Sequence, residues 1–381
     1  MNRKNTIIKI IAGLAAFILF AGVLYYANYD RPQYEISPTT GVEYEKAVVL
    51  EVLEDNTVAD ESTENVWKGS MKLRIELLTG RYQGDTVDIT NYFSALYNVQ
   101  VREGDKLSVR VSTSGVNEYT VSVYNYYRVP AIIGCVLVFF LALVGVGGKK
   151  GLKAVGGLVF TVICILFIVL PLALKGFPTI PVTLVIILIS NLVSFFLLDG
   201  INTKTLISVA GSMGGVLFGA GFAEIAARLI HVTTFQMEEA ESLLLVAANF
   251  DLKIRGLFIC GILIACMGAV MDVAISIASA VTEVHRVNPQ LNARELFQSG
   301  MNIGRDAMGT MANTLILAFA GNSLNMMIMI YSYGVSFQQL MNTDFVAIEI
   351  IRAIAGSMGI VFTVPVVSAV SAIVLGRKKK A

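Results

Sequence analysis

The sequence predicts an α-helical polytopic membrane protein with about eight transmembrane helices and a small extracytoplasmic all-β domain, an OB-like barrel, between helices one and two. Three observations carry that expectation. The 381 residues are 55% hydrophobic and only 15% charged, with mean hydropathy +0.69, which separates the chain from soluble globular proteins. Apolar runs of bilayer-spanning length recur through the carboxyl-terminal two thirds. Between the first such run and the others lies a polar stretch with period-two alternation. The resulting division is 1–27, an amino-terminal anchor; 28–128, the β domain; 129–376, a seven-helix domain; and 377–381, a basic tail.

The first apolar run, Ile7 to Tyr26, carries Arg3, Lys4 and Lys9 at its start and is long enough to span. No small-x-small cleavage site follows, so it reads as an uncleaved anchor with its amino end in the cytosol; a signal peptide is the alternative. Within the β domain, Glu43–Leu53, Lys68–Leu78, Thr86–Tyr92, Lys106–Ser112 and Tyr119–Tyr126 alternate as strands do. Turn residues divide them, at Thr79-Gly80 to Gly84-Asp85, Glu103-Gly104-Asp105 and Ser114-Gly115. The aromatics Tyr82, Tyr92, Phe93, Tyr97, Tyr124, Tyr126 and Tyr127 fit core and membrane-interface positions better than a ligand face.

Further spans are expected at Val129–Val146, Leu152–Leu174, Thr179–Leu198, Thr205–Ala227, Ile254–Val281, Met308–Tyr331 and Phe345–Leu375. Loop charges set the orientation. Lys149, Lys150, Lys153, Lys204, Arg286, Arg294, Arg305 and the Arg377–Lys380 cluster fall on one side, against mainly Lys175, Arg228, Lys253 and Arg255 on the other, which places both termini in the cytosol of a bacterial cell. The segment His231–Asp251 reads either as an interfacial helix or as a re-entrant hairpin. Gly211, Gly215 and Gly219 form a small-residue ridge whose consequence is close helix packing. Glu224 with Arg228, and Glu349 with Arg352, are spaced for local ion pairs. The four cysteines, Cys135, Cys164, Cys260 and Cys266, all lie in apolar runs and read as small buried residues.

Two polar stripes interrupt the apolar pattern. Asp272, Ser276, Ser279 and Glu283 share one helical face, and Asp272 lies roughly 16 Å in from Glu283 at 1.5 Å per residue, near a bilayer midplane. Asn302, Asp306, Thr310 and Asn313 repeat the spacing on the following helix, so the two stripes can face each other. A carboxylate at the centre costs about 2.5 to 3.5 kcal/mol on insertion scales and is normally turned toward a partner, a cavity or a pathway. Serine, threonine and asparagine alone would serve as interhelical glue; Asp272 and Asp306 favour an ion- or solute-binding path. Glu283 and Arg305 are then gate or counter-charges, and Gly300, Gly304 and Gly309 could unwind the start of the seventh span.

Other chemistries lack their residues. There is no Walker loop, no HExxH, and only two histidines, so neither a metal nor another cofactor is expected. Nucleic acid is disfavoured because the β domain has no basic stripe. Intramembrane aspartyl proteolysis would need paired carboxylates, yet the sequence offers IGRD where Gly-x-Gly-Asp is wanted, so no enzyme is expected.

The run GAVMDVAISIASAVTEVH, followed after a polar loop by IGRDAMGTMANTLILAFAG, resembles the YibE/F-like family of bacterial multi-pass membrane proteins. The likeness extends from about Arg128 onward, and the β domain resembles the region such proteins carry between their first two spans. The resemblance implies a membrane location and shared architecture, with transport presumed and no residue assigned a role. Asp272, Arg305, Asp306, Gly309 and Asn313 stand in the matching motifs. Two functions are therefore expected in order: a secondary transporter or permease of an ion or small solute, or a non-transporting scaffold or envelope sensor that binds an envelope partner through its outer β domain; the partners expected are the lipid bilayer, an ion or small solute, and an envelope protein or a second copy of the chain.

Overall fold

The computed structural model describes residues 18–30, 41–61, 63–94, 97–113, 119–231, 244, 247, 252 and 256–376. The chain forms two compact units, Tyr34–Ala142 and the remainder, Met1–Gln33 with Leu143–Ala381.

In the first unit β1 (Val42–Asp55), β2 (Val58–Ala59), β3 (Trp67–Leu77), β4 (Thr86–Phe93), β5 (Lys106–Thr113) and β6 (Tyr119–Tyr126) make an antiparallel sheet in the order β2-β3-β1-β5-β6, with β4 also on β3. Alternation explains the burial: Met71, Leu73, Ile75 and Leu77 of β3 and Leu107, Val109 and Val111 of β5 point into one core. Their opposite face is charged. Arg74 pairs in register with Asp88 on β4, with bonds of 2.9 and 3.2 Å, and reaches Glu51 on β1 at 3.0 Å. The Arg74 guanidinium holds the Asp88 carboxyl below its usual range. All five strands expected from sequence are present. The sheet curls so that β4 approaches β6, but the described strands form no hydrogen-bonded seam there. The result is a curled half-barrel, and the closed OB-like barrel is not confirmed. Tyr82, Phe93 and Tyr126 pack on the core, whereas Tyr92, Tyr97 and Tyr124 are exposed.

In the helical unit α1 (Ile18–Asn28) is the described part of the first apolar run; Ile7 to Phe17 lie outside the described residues. The next stretch, α2 (Val129–Cys164), whose Val129–Ala142 part belongs to the first unit, continues through a π-helical turn, Ile165–Val169, into α3 (Leu170–Leu174). These 46 residues would extend about 69 Å if straight, more than twice a hydrocarbon core. They are not straight. Gly148 adopts φ 56, ψ −134, and the chain reverses there so tightly that a β-carbon on Gly151 would overlap the Leu143 carbonyl. Lower down, Pro171 cannot donate to the carbonyl of Phe167 four residues back, and Asn28 Nδ2 donates to it instead at 2.8 Å. Lys175 Nζ adds bonds to the carbonyls of Tyr26 and Tyr29, tying α1 alongside.

The rest comprises α4 (Thr179–Asp199), α5 (Thr203–Leu229), α6 (Leu257–Val287), α7 (Ala293–Asn322), α8 (Leu324–Ser332), α9 (Phe337–Met341) and α10 (Asp344–Gly376). Among the described residues five stretches are long and apolar enough to cross a membrane, or six when the bent pair α7–α8 counts as one. The count of eight is therefore not reached on this criterion. Helix α6 is central, burying Ile262, Cys266, Val270, Val273, Ile277 and Val281 against α5, α7 and α10.

Two expectations about the α6–α7 region are corrected. The helix that carries the expected span Met308–Tyr331 already begins at Ala293, because Asn292 and Glu295 form a reciprocal capping box and confine the connection to residues 288–292. Nor do glycines unwind it. Gly300 and Gly304 sit within a continuous helix where β-carbons would strike Ser368 and Val364, so they are close-packing positions. The break falls at Ser323, where α7 and α8 meet at 59°. Of the cysteines, Cys164, Cys260 and Cys266 are buried as expected, but Cys135 is exposed. His231, Leu244 and Ala247 apart, the segment 231–251 lies outside the described residues, as does the Arg377–Lys380 cluster.

Candidate functional site

The polar stripe of α6 runs along the side opposite its buried seam. Asp272, Ser276 and Glu283 are exposed and Ser279 is half-buried, while Val273, Ala274, Ile277, Ala278 and Val281 between them are buried. At its Glu283 end the stripe opens into a cleft of about 760 Å3. One wall is Ser276, Ser279, Thr282 and Glu283; the other is Asn202, Thr203 and Lys204. The second wall is built by a sharp turn: Gly200 at φ 77 ends α4, and Asn202 caps α5 by accepting from the Thr205 N–H at 2.9 Å. Lys204 pairs with Asp199 at 2.6 Å, and Glu283 pairs with Arg286 along its own helix at 2.5 Å. A cation and a carboxylate thus stand on opposite walls of one polar cleft.

The second stripe is placed differently. Helix α7 packs through Leu296, Gly300 and Gly304, with a β-carbon on Gly304 lying 3.0 Å from Ile277 and one on Gly300 3.1 Å from Val281. Asn302, Asp306, Thr310 and Asn313, with Arg305, are exposed and lie on the other side of the helix. Because Gly304 opposes Ile277, Asp306 and Asp272 lie within about one helical turn of each other in depth. They point to different faces, so the two stripes do not face each other. Arg305 donates to Asn302 at 3.3 Å, and the Thr310 hydroxyl is bonded at 3.0 Å to the carbonyl of Ala307.

The small-residue ridge packs as its spacing predicts. β-Carbons on Gly211 and Gly215 would overlap Val367 and Thr363, and one on Gly219 would stand 3.1 Å from the Ala355 carbonyl. Its counterpart, Ala355, Gly359 and Thr363 on α10, escaped sequence reading although it has the same four-residue period. A second omission is a buried polar column on α4. Thr179, Thr183, Ser190, Asn191 and Ser194 are all at most 8% exposed, and Asn191 donates to Ser212 of α5 at 2.9 Å. The high hydropathy of α4 concealed it, although Thr179, Thr183, Ser190 and Ser194 fall on one helical face. Among the described residues no group of three or more His, Cys, Asp or Glu side chains could hold a metal ion.

The family model for YibE/F-like protein matches residues 135–377, and that for the YibE/F family N-terminal domain matches residues 42–126. The chain belongs to the YibE/F-like family. The first match takes in both polar stripes and the glycine ridge, and the second coincides with β1 through β6. No curated protein and no solved structure matches the chain. As a YibE/F-like protein it is an integral membrane protein by family and by its helices.

Proposed function

We propose that this YibE/F-like protein is a permease for a cation or small polar solute, with the polar face of α6 as its path and Asp272 as the charged ligand. The observation that carries this reading is the continuity of Asp272, Ser276, Ser279 and Glu283 into the cleft facing Lys204. A carboxylate in the middle of an apolar helix is expensive unless it binds something, and its neighbours supply neutral oxygens for a partly dehydrated ion. Glu283 and Lys204 flank the mouth as gating charges. In this reading no catalytic step occurs.

The same reading has the chain crossing eight times with both termini in the cytosol of a bacterial cell. Its support is the reversal at Gly148, which divides the 46-residue stretch, together with α1 and the bent pair as one span each. Lys204 and Glu283 sharing one cleft agrees with their assignment to the same side. The test is flux into proteoliposomes across a panel of monovalent and divalent cations and an imposed proton gradient. Wild type should move at least one of them and Asp272→Asn should not; equal flux in the two proteins overturns the role.

A second reading, a scaffold that assembles with an envelope protein or a second copy, draws on the outward polar stripe of α7 and the exposed Tyr92, Tyr97 and Tyr124. Removal of Tyr34–Asn125 separates the two. A permease keeps ion binding without the β domain, whereas a scaffold loses its partner in a pull-down.

A further inference from the structure

The bend at Ser323 creates a pocket that the α6 path does not use. Helices α7, α8, α9 and the start of α10 border a half-open pocket of about 710 Å3, walled almost wholly by apolar side chains, with Phe319 and Phe345 among them and Tyr331 at its rim. Apart from the exposed Tyr331, its polar side chains are Ser323 and Glu349. Ser323 is 6% exposed and its hydroxyl has no hydrogen-bond partner among the described residues, even though it stands at the amino end of α8. Glu349 is 15% exposed; one carboxylate oxygen takes Arg352, and Oε2 is buried with no partner among the described residues.

A buried carboxylate oxygen without a donor is costly, and native structures rarely leave one so. Oε2 can only accept. What satisfies it must bring an N–H or O–H into an apolar, aromatic-lined space. A protonated amine does so with the greatest gain, because it forms a charge-assisted bond and is attracted to aromatic faces. A carboxylate or phosphate would meet the Glu349 charge instead.

We propose that the pocket binds a compact apolar molecule bearing a protonated amine, the Glu349 and Ser323 side chains turning their buried oxygens onto the nitrogen while Phe319 and Phe345 flank the body. The site is independent of the Asp272 path.

The test uses the full chain in phosphatidylcholine nanodiscs, titrated with adamantylamine, adamantanol and adamantane carboxylate while thermal unfolding is followed. The amine should raise the unfolding temperature saturably, the alcohol should bind about tenfold more weakly for want of the charge-assisted bond, and the carboxylate should have no effect. Glu349→Gln should weaken the amine by about tenfold. Should that variant fail to fold, Ala353→Phe decides, since it fills the pocket while leaving both charges of the ion pair in place; it should abolish the amine shift. Equal shifts from all three probes, or an unchanged amine shift in Ala353→Phe, overturn the proposal.

Discussion

Gly215 lies where two helix backbones touch. A β-carbon there would collide with Thr363 and come within 2.7 Å of the Gly359 carbonyl, so Gly215→Val should cost about 1 to 3 kcal/mol or prevent folding. Gly221, on the same helix, has nothing within 4 Å, and Gly221→Ala should be neutral or stabilise by up to about 1 kcal/mol. Thermal unfolding in nanodiscs compares them. That ridge was legible from its four-residue period. The buried hydroxyls of Thr179 and Thr183 were not, because hydropathy averages a few hydroxyls into their apolar neighbours. Tyr119 offers a residue-scale test in the β domain. Burial, helped by its 2.7 Å bond to Asp85, pushes its phenol from 10.0 up to about 12. The folded state then keeps its proton where the unfolded state releases it, so stability falls as pH rises through that window. Denaturation midpoints followed above pH 10 should drop more steeply in wild type than in Tyr119→Phe.

Helix α6 is the element whose two faces differ most in chemistry. In a variant with the four native cysteines replaced, single cysteines at Ser276 and Ser279 should react with a water-soluble thiol reagent. Cysteines at Ala274 and Ala278, both 0% exposed, should not. Equal reaction at all four positions would show that the polar face is not a water-accessible surface. The phase of this helix could be read from sequence because its polar residues repeat at three and four. The orientation of α7 could not. Its spacing fixes which residues share a face, but Gly300 and Gly304 decide which face meets α6, and glycines carry no hydropathy signal strong enough to announce a contact. The early start of α7 followed from Asn292 and Glu295, a capping box hidden inside what reads as a polar loop.

At the scale of the whole molecule, composition placed the boundary after residue 128, the compact units divide after Ala142, and the family models match 42–126 and 135–377. The number of crossings is less direct, because the reversal at Gly148 falls inside one 46-residue apolar stretch and the bend at Ser323 breaks another. Reporter fusions test the eight-crossing arrangement: markers at Lys150, Lys204 and the carboxyl terminus should all be cytosolic, and one at Gly176 should not. The central claim is that Asp272 binds what the protein moves. It is tested most directly by thermal stability of wild type and Asp272→Asn across a panel of cations and pH values. A ligand at 100 times its dissociation constant adds about 2.7 kcal/mol, so at least one cation should raise the unfolding temperature of wild type and leave the variant unmoved. A shift of equal size in both, or no shift with any cation while both proteins are folded, would contradict the account.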